Sequence, residues 1–323
     1  MYHLRIVVPG ALADDVLELL DDEPSACNLV HLPGAARRPE GDLILIDLAR
    51  EEASVVLSDL RDLGVERQGS ISVLEVDFHV SDRMERAVRE AEGSPADAVV
   101  WEEVTSRTSE TAELNWTFTA FMVLAGLIAA VGILLDTPIL IVGAMVVGPE
   151  FGPVAGICVA LVQRRPALAL RSLLALAVGF PVAIAVVTVA CLLFQAIGAS
   201  PEDFDAASHS LSRIIASPDF FAFFVAFCAG IAGILSLTSA KSGALIGVLI
   251  SVTTIPAAAN VGVAAAYGEW ASARGSLEQL AINLLSLIVA GTLTLTVQRT
   301  VYARRKTKHR HGTPRPRHPL VRR

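Results

Sequence analysis

The sequence predicts a polytopic α-helical membrane protein with six spans, arranged as two inverted three-helix repeats whose second helices are broken. A cytoplasmic α+β domain of ferredoxin-like βαββαβ order precedes the spans. First, 53% of the 323 residues are hydrophobic and the mean hydropathy is +0.56, which argues against an ordinary soluble enzyme. Second, residues 1–115 hold 25 acidic and 10 basic side chains, whereas residues 116–323 hold 8 and 16. These observations predict four parts: a ferredoxin-like domain (1–80), a helical connector (81–114), a membrane domain (115–298) and a basic, disordered tail (299–323).

The N-terminal domain alternates strand and helix signals. Runs typical of strands occupy Leu4–Val8, Cys27–Leu32, Leu43–Leu48 and Ile71–Val76. Apolar residues at helical spacing follow the first and third of these runs, at Leu12–Leu20 and Val55–Leu63. The order βαββαβ is that of a ferredoxin-like fold, with two helices on one face of an antiparallel sheet. Prolines, glycines and arginines at residues 33–41 predict a loop between the second and third strands.

The apolar runs begin at Trp116. Each is about 20 residues or longer, enough at about 1.5 Å per residue to cross a hydrocarbon core of about 30 Å. The predicted spans are 116–135, 139–163, 168–197, 220–237, 243–267 and 277–297. Lysine and arginine in the short loops favour the side that carries the N-terminal domain. We therefore expect a multi-pass protein of the inner (plasma) membrane with both termini in the cytoplasm.

The membrane domain shows a weak internal repeat. Gly132-Ile133-Leu134 resembles Gly233-Ile234-Leu235, and Pro153 and Pro256 stand at matching places in the two halves. Each half has three spans, an odd number, so the second half is inverted relative to the first. Inverted repeats with interrupted helices indicate a transport site near the middle of the bilayer. A homo-oligomer is also expected, because small-residue helix faces and ferredoxin-like sheet edges favour association.

The first predicted break brackets a carboxylate. Pro149 and Gly152-Pro153 flank Glu150 within an apolar run, so the helix is expected to break there. An ionisable side chain at membrane depth marks a candidate functional site. Glu150 could bind a proton or cation, since a carboxylate held away from water favours its protonated form. It could instead pair structurally with a helix dipole or a basic side chain, or face a surface if the segment is re-entrant.

The second predicted break carries neutral polar groups. Thr253, Thr254, Pro256 and Asn260 lie around it, and they could replace lost backbone partners or line a polar cavity. For the two threonines, hydrogen bonding within their own helix is the competing interpretation. An amide such as that of Asn260 needs several partners. Further along, Asn283 and Ser286 are most simply interpreted as contacts between helices.

Two runs resemble a known family. ILIVGAMVVGPEFGPVAGICVALVQRR (residues 139–165) and KSGALIGVLISVTTIPAAANVGVAAAYGEW (residues 241–270) are similar to the domain-of-unknown-function family DUF389. The resemblance covers about residues 115–298. It implies a polytopic bacterial membrane protein, often with a small head domain, of no established activity. The sequence departs from the family pattern where apolar residues are more usual, at Glu150 and Phe151, and where a double proline is more usual, at Ile255-Pro256.

These observations predict a transporter or channel whose path for a small solute or ion lies between the two breaks, regulated or oligomerised by the cytoplasmic domain. The alternative is a non-transporting sensor or scaffold whose head domain binds a small ligand or partner. No enzyme activity, cofactor or metal is expected, since no catalytic, P-loop or ligand spacing is visible. The tail holds ten basic residues after residue 298 and is expected to bind the bilayer through anionic inner-leaflet lipids. Nucleic-acid binding is not expected.

Overall fold

The computed structural model describes residues 1–76, 81–82, 101–200, 204, 209–239 and 253–312. The chain divides into two compact units, the first built mainly on Met1–Glu102 and the second on Glu103–Leu237 with Lys241–Val301. Most of the predicted connector and the end of the predicted basic tail lie outside the described residues.

The first unit contains a four-stranded antiparallel sheet. Its elements are β1 (Tyr2–Val8), α1 (Gly10–Asp21), β2 (Ala26–Arg37), β3 (Glu40–Leu48), α2 (Arg50–Asp62), the short α3 (Val65–Gln68) and β4 (Ser70–Glu75). The strand order is β2-β3-β1-β4, and every neighbouring pair is antiparallel. The predicted order of the four strands and the two longer helices is therefore confirmed, whereas α3 was not predicted.

Alternation along the central strands builds the core of this unit. Leu4 and Ile6 of β1 are fully buried, whereas Arg5 between them is exposed. Successive side chains of a strand point to opposite faces, so β1 presents one apolar face. Ile46 of β3 and Leu60 of α2 belong to the same buried cluster. The period-two pattern thus decides which face the helices cover.

The predicted loop between the second and third strands is wrong in extent. The structure forms a long hairpin there, in which Arg37 pairs with Glu40 across the turn. A register shift between Leu32 and Ala36 contains the Pro33-Gly34 pair. A proline lacks the amide donor that a regular ladder uses, and an irregularity of this kind accommodates it. The residues that predicted a loop therefore lie in an interrupted strand.

The rest of the described chain is helical. Its helices are α4 (Trp101–Thr111), α5 (Trp116–Leu134), α6 (Pro138–Val147), α7 (Phe151–Gln163), α8 (Pro166–Ala196), α9 (Ser210–Ile215), α10 (Phe220–Thr238), α11 (Thr254–Tyr267) and α12 (Trp270–Gly312). Four segments are long and apolar enough to cross a membrane: α5, α8, α10 and Trp270–Val301 of α12. The pair α6–α7, bent by 50°, provides a fifth if it is one span. Apolar helices of this length are those expected of a membrane protein.

The predicted count of six spans remains a prediction. The predicted span at 243–267 lies outside the described residues up to residue 252. Its described end is α11, a helix of 14 residues.

Small residues bring the helices of the second unit close together. A Cβ placed on Gly262 of α11 would lie 2.7 Å from the Val187 side chain of α8, which is closer than real Cβ contacts. For Gly143 of α6, in contrast, no atom of the described residues lies within 4 Å of a Cβ position. Close helix packing therefore depends on particular glycines, such as Gly262, and not on every glycine of the helices.

Asp136 connects the turn after α5 to the short helix α9. The Ser210 hydroxyl donates to Asp136 Oδ2 at 2.7 Å, and the backbone N–H of Leu211 donates to Oδ1 at 3.0 Å. These bonds, that of the Leu211 N–H first, hold the pKa of Asp136 below its ordinary value of 3.8. The carboxylate therefore holds the start of α9 against the turn between α5 and α6.

Candidate functional site

The predicted break between α6 and α7 is present. Helix α6 ends at Val147, and α7 begins at Phe151 after Gly148, Pro149 and Glu150. Gly148 has extended backbone angles, with φ −63° and ψ 128°. Pro149 has no amide to donate, so the helical ladder is interrupted here. The two helices differ in direction by 50°, and Glu150 occupies the residue just before α7.

A second helix begins at the matching place. Helix α11 starts at Thr254, with Thr253 just before it. Pro256 is the third residue of α11, as Pro153 is the third residue of α7. The first turn is where a helix tolerates proline, because the first amides have no partner within the helix. The residues immediately before Thr253 lie outside the described part of the chain.

The two helix starts are joined by one buried hydrogen bond. The Thr254 hydroxyl donates to Glu150 Oε1 at 2.6 Å. Thr254 is fully buried and Glu150 is 4% exposed. The other carboxylate oxygen, Oε2, is buried and has no hydrogen-bond partner among the described residues. The positive ends of two helix dipoles stabilise a carboxylate placed at both helix starts.

The remaining predicted residues around Glu150 shape the backbone. Pro149 interrupts the helix, and Pro153 is among the buried residues of α7. A Cβ on Gly152 would lie 2.8 Å from the backbone oxygen of Thr111, so α4 and α7 approach closely there. Pro256 is buried in the first turn of α11. These residues provide geometry rather than ligand groups.

Thr253 begins a second polar contact, with α12. Asn283 Nδ2 donates to the Thr253 hydroxyl at 2.8 Å, and Gln279 Nε2 donates to Asn283 Oδ1 at 2.9 Å. Gln279 and Asn283 are 3% and 1% exposed. The buried Oε1 of Gln279 has no hydrogen-bond partner among the described residues. The adjacent residues Thr253 and Thr254 thus bind different partners, Asn283 and Glu150 respectively.

Asn260 is not brought to Glu150. Its Nδ2 donates to the Ser276 hydroxyl at 2.7 Å and to the Ser272 hydroxyl at 3.3 Å, both on α12. Its Oδ1 is buried and lacks a hydrogen-bond partner in the described part of the structure. Asn260 therefore belongs to the polar contact between α11 and α12 and does not contact Glu150.

A pocket of about 570 Å³ reaches this polar contact. Thr253, Gln279 and Asn283 line it, together with apolar residues of α10. Arg213 and Asp219, both exposed, also line it. The pocket therefore combines an amide-lined wall with one positive and one negative side chain.

Sequence reasoning missed Gln279 and assigned Asn283 only to helix contacts. A signal was present on α12, where five buried polar residues follow one another at intervals of four, three, four and three: Ser272, Ser276, Gln279, Asn283 and Ser286. This spacing places them on one helix face. A polar stripe in an otherwise apolar span indicates a buried network or cavity.

No group of three or more histidine, cysteine, aspartate or glutamate side chains able to hold a metal occurs among the described residues. The chemistry available around the two breaks is that of one carboxylate with hydroxyl and amide groups. Such groups can carry a proton or bind a polar solute.

Residues 145–289 match the family model described as "Domain of unknown function (DUF389)". The chain carries a DUF389 domain. The matched range contains both helix starts, the Glu150–Thr254 bond and the polar face of α12 up to Ser286. The match is narrower than the predicted resemblance over residues 115–298.

"Uncharacterized protein MJ0678" of Methanocaldococcus jannaschii is 25% identical to this chain over 206 residues, which are 61% of this chain. The match spans 59% of the length of that protein. No solved structure matches the chain significantly.

Proposed function

We propose that the DUF389 domain of this chain is a membrane transport unit, a transporter or channel rather than an enzyme. An ion or small solute would pass between the starts of α7 and α11. The observation that carries the proposal is the 2.6 Å hydrogen bond from Thr254 to Glu150, which joins two helix starts 104 residues apart in sequence. Buried carboxylates at interrupted helices are typical of ion and substrate sites in membranes.

The inverted-repeat architecture is part of the proposal. Helix α5 and the broken pair α6–α7 precede the long α8, and α10 precedes α11 and the long α12 in the same order. Pro153 and Pro256 occupy the same position in α7 and α11. With six spans, the second half would be inverted, and the two helix starts would meet near the middle of the bilayer.

Glu150 would be the ion-binding group. Within the described part of the chain, its carboxylate accepts from the Thr254 hydroxyl through one oxygen and has no partner at the other, so it can accept a proton without losing its contact with Thr254. The backbone at the two helix starts would be kept out of regular helical hydrogen bonding by Pro149, Gly152, Pro153 and Pro256.

We also infer a ferredoxin-like fold for the first unit, because its strand order and βαββαβ order are those of that fold. We assign it to the cytoplasm, with both termini, and give it a regulatory or oligomerising role. Its edge strands β2 and β4 expose Leu32 and Leu74, which supports pairing with a second copy. The basic tail would bind anionic lipids of the inner leaflet.

One observation favours the sensor or scaffold alternative. Glu150 is almost completely buried and is not among the residues that line the pocket. A membrane body that only anchors the head domain would keep this carboxylate permanently packed. Access of water to Glu150 therefore distinguishes the two functions.

Thiol accessibility in membranes measures that access. In a variant without the four native cysteines, single cysteines would replace Glu150 and Thr254, and membrane-impermeant thiol reagents would be applied from each side. The matched control is a cysteine at Ala125, which is fully buried in α5. A transport unit predicts labelling of Glu150→Cys and Thr254→Cys well above that of Ala125→Cys.

Protection of both positions as complete as that of Ala125→Cys would refute the transport proposal. It would leave the head domain as the place to search for a ligand. Labelling from one side under one condition and from the other side under another would indicate alternating access.

A further inference from the structure

The pocket beside α10 and α12 is lined by a residue whose buried acceptor has no partner among the described residues. Gln279 lines this pocket and is 3% exposed. Its Nε2 is committed to Asn283, whereas its Oε1 has no partner among the described residues. An unsatisfied buried acceptor destabilises the folded protein, so a bound group that donates to it is favoured.

Two opposite charges stand at the same pocket. Arg213 and Asp219 both line it and are exposed. Asp219 Oδ1 accepts the Ala222 N–H at 2.7 Å, which caps the start of α10. Neither side chain makes an ion pair within the described ranges of the chain. The pocket therefore presents a cation and an anion that are not neutralised by each other.

The size of the pocket suits a small molecule. A volume of about 570 Å³ lies within the range of about 300–1,000 Å³ typical of small-ligand sites. Its apolar wall includes Val225 and Ala226 of α10. A charged solute of either sign alone would leave one of the two opposite charges without a partner, whereas a zwitterion would match both.

We propose that this pocket binds a small zwitterion of amino-acid size. Its carboxylate would lie at Arg213, and its ammonium group would donate to Gln279 Oε1 on the side of Asp219.

The inference deepens the proposed function by naming the class of solute, and it rests on that function for the step beyond binding. Thr253 lines the pocket, and its neighbour Thr254 holds Glu150. The pocket therefore reaches the residue next to the one that binds the carboxylate, and the transport step would require a path from the pocket to Glu150.

Binding can be measured without transport. The full chain, purified in detergent, would be heated with increasing concentrations of glycine, L-alanine or L-glutamine, and with acetate and methylammonium as the two half-molecules. A zwitterion that binds the folded state raises the melting temperature in a saturable way. We expect saturable stabilisation by at least one zwitterion and none by either half-molecule at the same concentration.

Two variants locate the site. Gln279→Met keeps the side-chain length and removes the acceptor. Arg213→Gln removes the charge at an exposed position. Each is expected to weaken binding about tenfold or more. The control, Ser286→Ala, changes a buried hydroxyl on the same face of α12 that bonds to its own helix and does not line the pocket.

Three results would overturn the inference: no saturable shift with any zwitterion, an equal shift with acetate or methylammonium, or unchanged affinity in both Gln279→Met and Arg213→Gln. These results are independent of thiol labelling at Glu150. If no zwitterion binds but the cysteines at positions 150 and 254 are labelled, the solute class is rejected. If a zwitterion binds but both cysteines are protected, transport is rejected.

Discussion

The hydrogen bond between Thr254 and Glu150 allows a quantitative prediction. Replacing Thr254 with valine preserves shape and removes the side-chain hydroxyl that donates to the carboxylate. Among the described residues, the second carboxylate oxygen already lacks a partner. Hydrogen bonds to charged groups contribute about 1.5–3 kcal/mol in soluble proteins. Bonds between membrane helices average about 0.6 and reach about 1.7 kcal/mol, because the unfolded chain also finds partners. For a short bond to a carboxylate we expect a value near the upper membrane limit, about 1.5 kcal/mol.

A double-mutant cycle isolates this value. The free energy of unfolding would be measured by SDS titration in mixed micelles for the wild type, Thr254→Val, Glu150→Leu and the double variant. The control is Thr294→Val on α12, because the Thr294 hydroxyl donates to the Ala290 carbonyl of its own helix. We expect a change of about 0.5 kcal/mol or less for that control.

A coupling energy below about 0.3 kcal/mol would refute the reasoning. It would mean that the bond does not hold the two helix starts together, and the proposed site would lose its main structural support. Equal costs of Thr254→Val with and without Glu150 would lead to the same conclusion.

Three further predictions test the packing and the charges. Gly152→Ala places a methyl group against a backbone oxygen and is expected to lower the free energy of unfolding by about 1–3 kcal/mol. Gly143→Ala, whose methyl group would meet no atom of the described residues, is expected to be neutral or slightly stabilising. Because its folded pKa is depressed, Asp136 contributes stability above pH 3.8, and this contribution is lost as the pH falls through the folded pKa. In thermal unfolding measured across acid pH, Asp136→Asn is expected not to show this loss of stability. In the first unit, Ile46→Ala removes a fully buried side chain and is expected to lower the free energy of unfolding by about 2–5 kcal/mol. The exposed Leu74→Ala is expected to lower it by about 0.5 kcal/mol or less, and hydrogen exchange of the strand amides measures both.

Much of the fold was predictable because it depends on local chemistry. The apolar segments follow from composition, and the break at Pro149 follows from the missing amide donor. The strands of the first unit follow from period-two alternation around Leu4 and Ile6. Where a local rule failed, as at Pro33-Gly34, pairing between two strands outweighed the loop signal, because the sheet accommodated both residues at an irregularity.

The candidate site was only partly predictable. Glu150 and Thr254 were both singled out, but each had several interpretations while its partner was unknown. Gln279 was missed because one amide in a helix gives no indication of whether it faces lipid, protein or a cavity.

By itself, the sequence determined that the chain has an α+β head and apolar helices, and that two helices begin at matching prolines. These features depend on backbone donors, glycine freedom and the period of apolar residues, all of which are local. Only the tertiary structure decided that Thr254 donates to Glu150, that Asp136 caps α9, and that Gln279 binds Asn283 at the wall of a pocket. The first two of these contacts join residues far apart in the chain, and the relative placement of packed helices, which periodicity does not specify, brings them together.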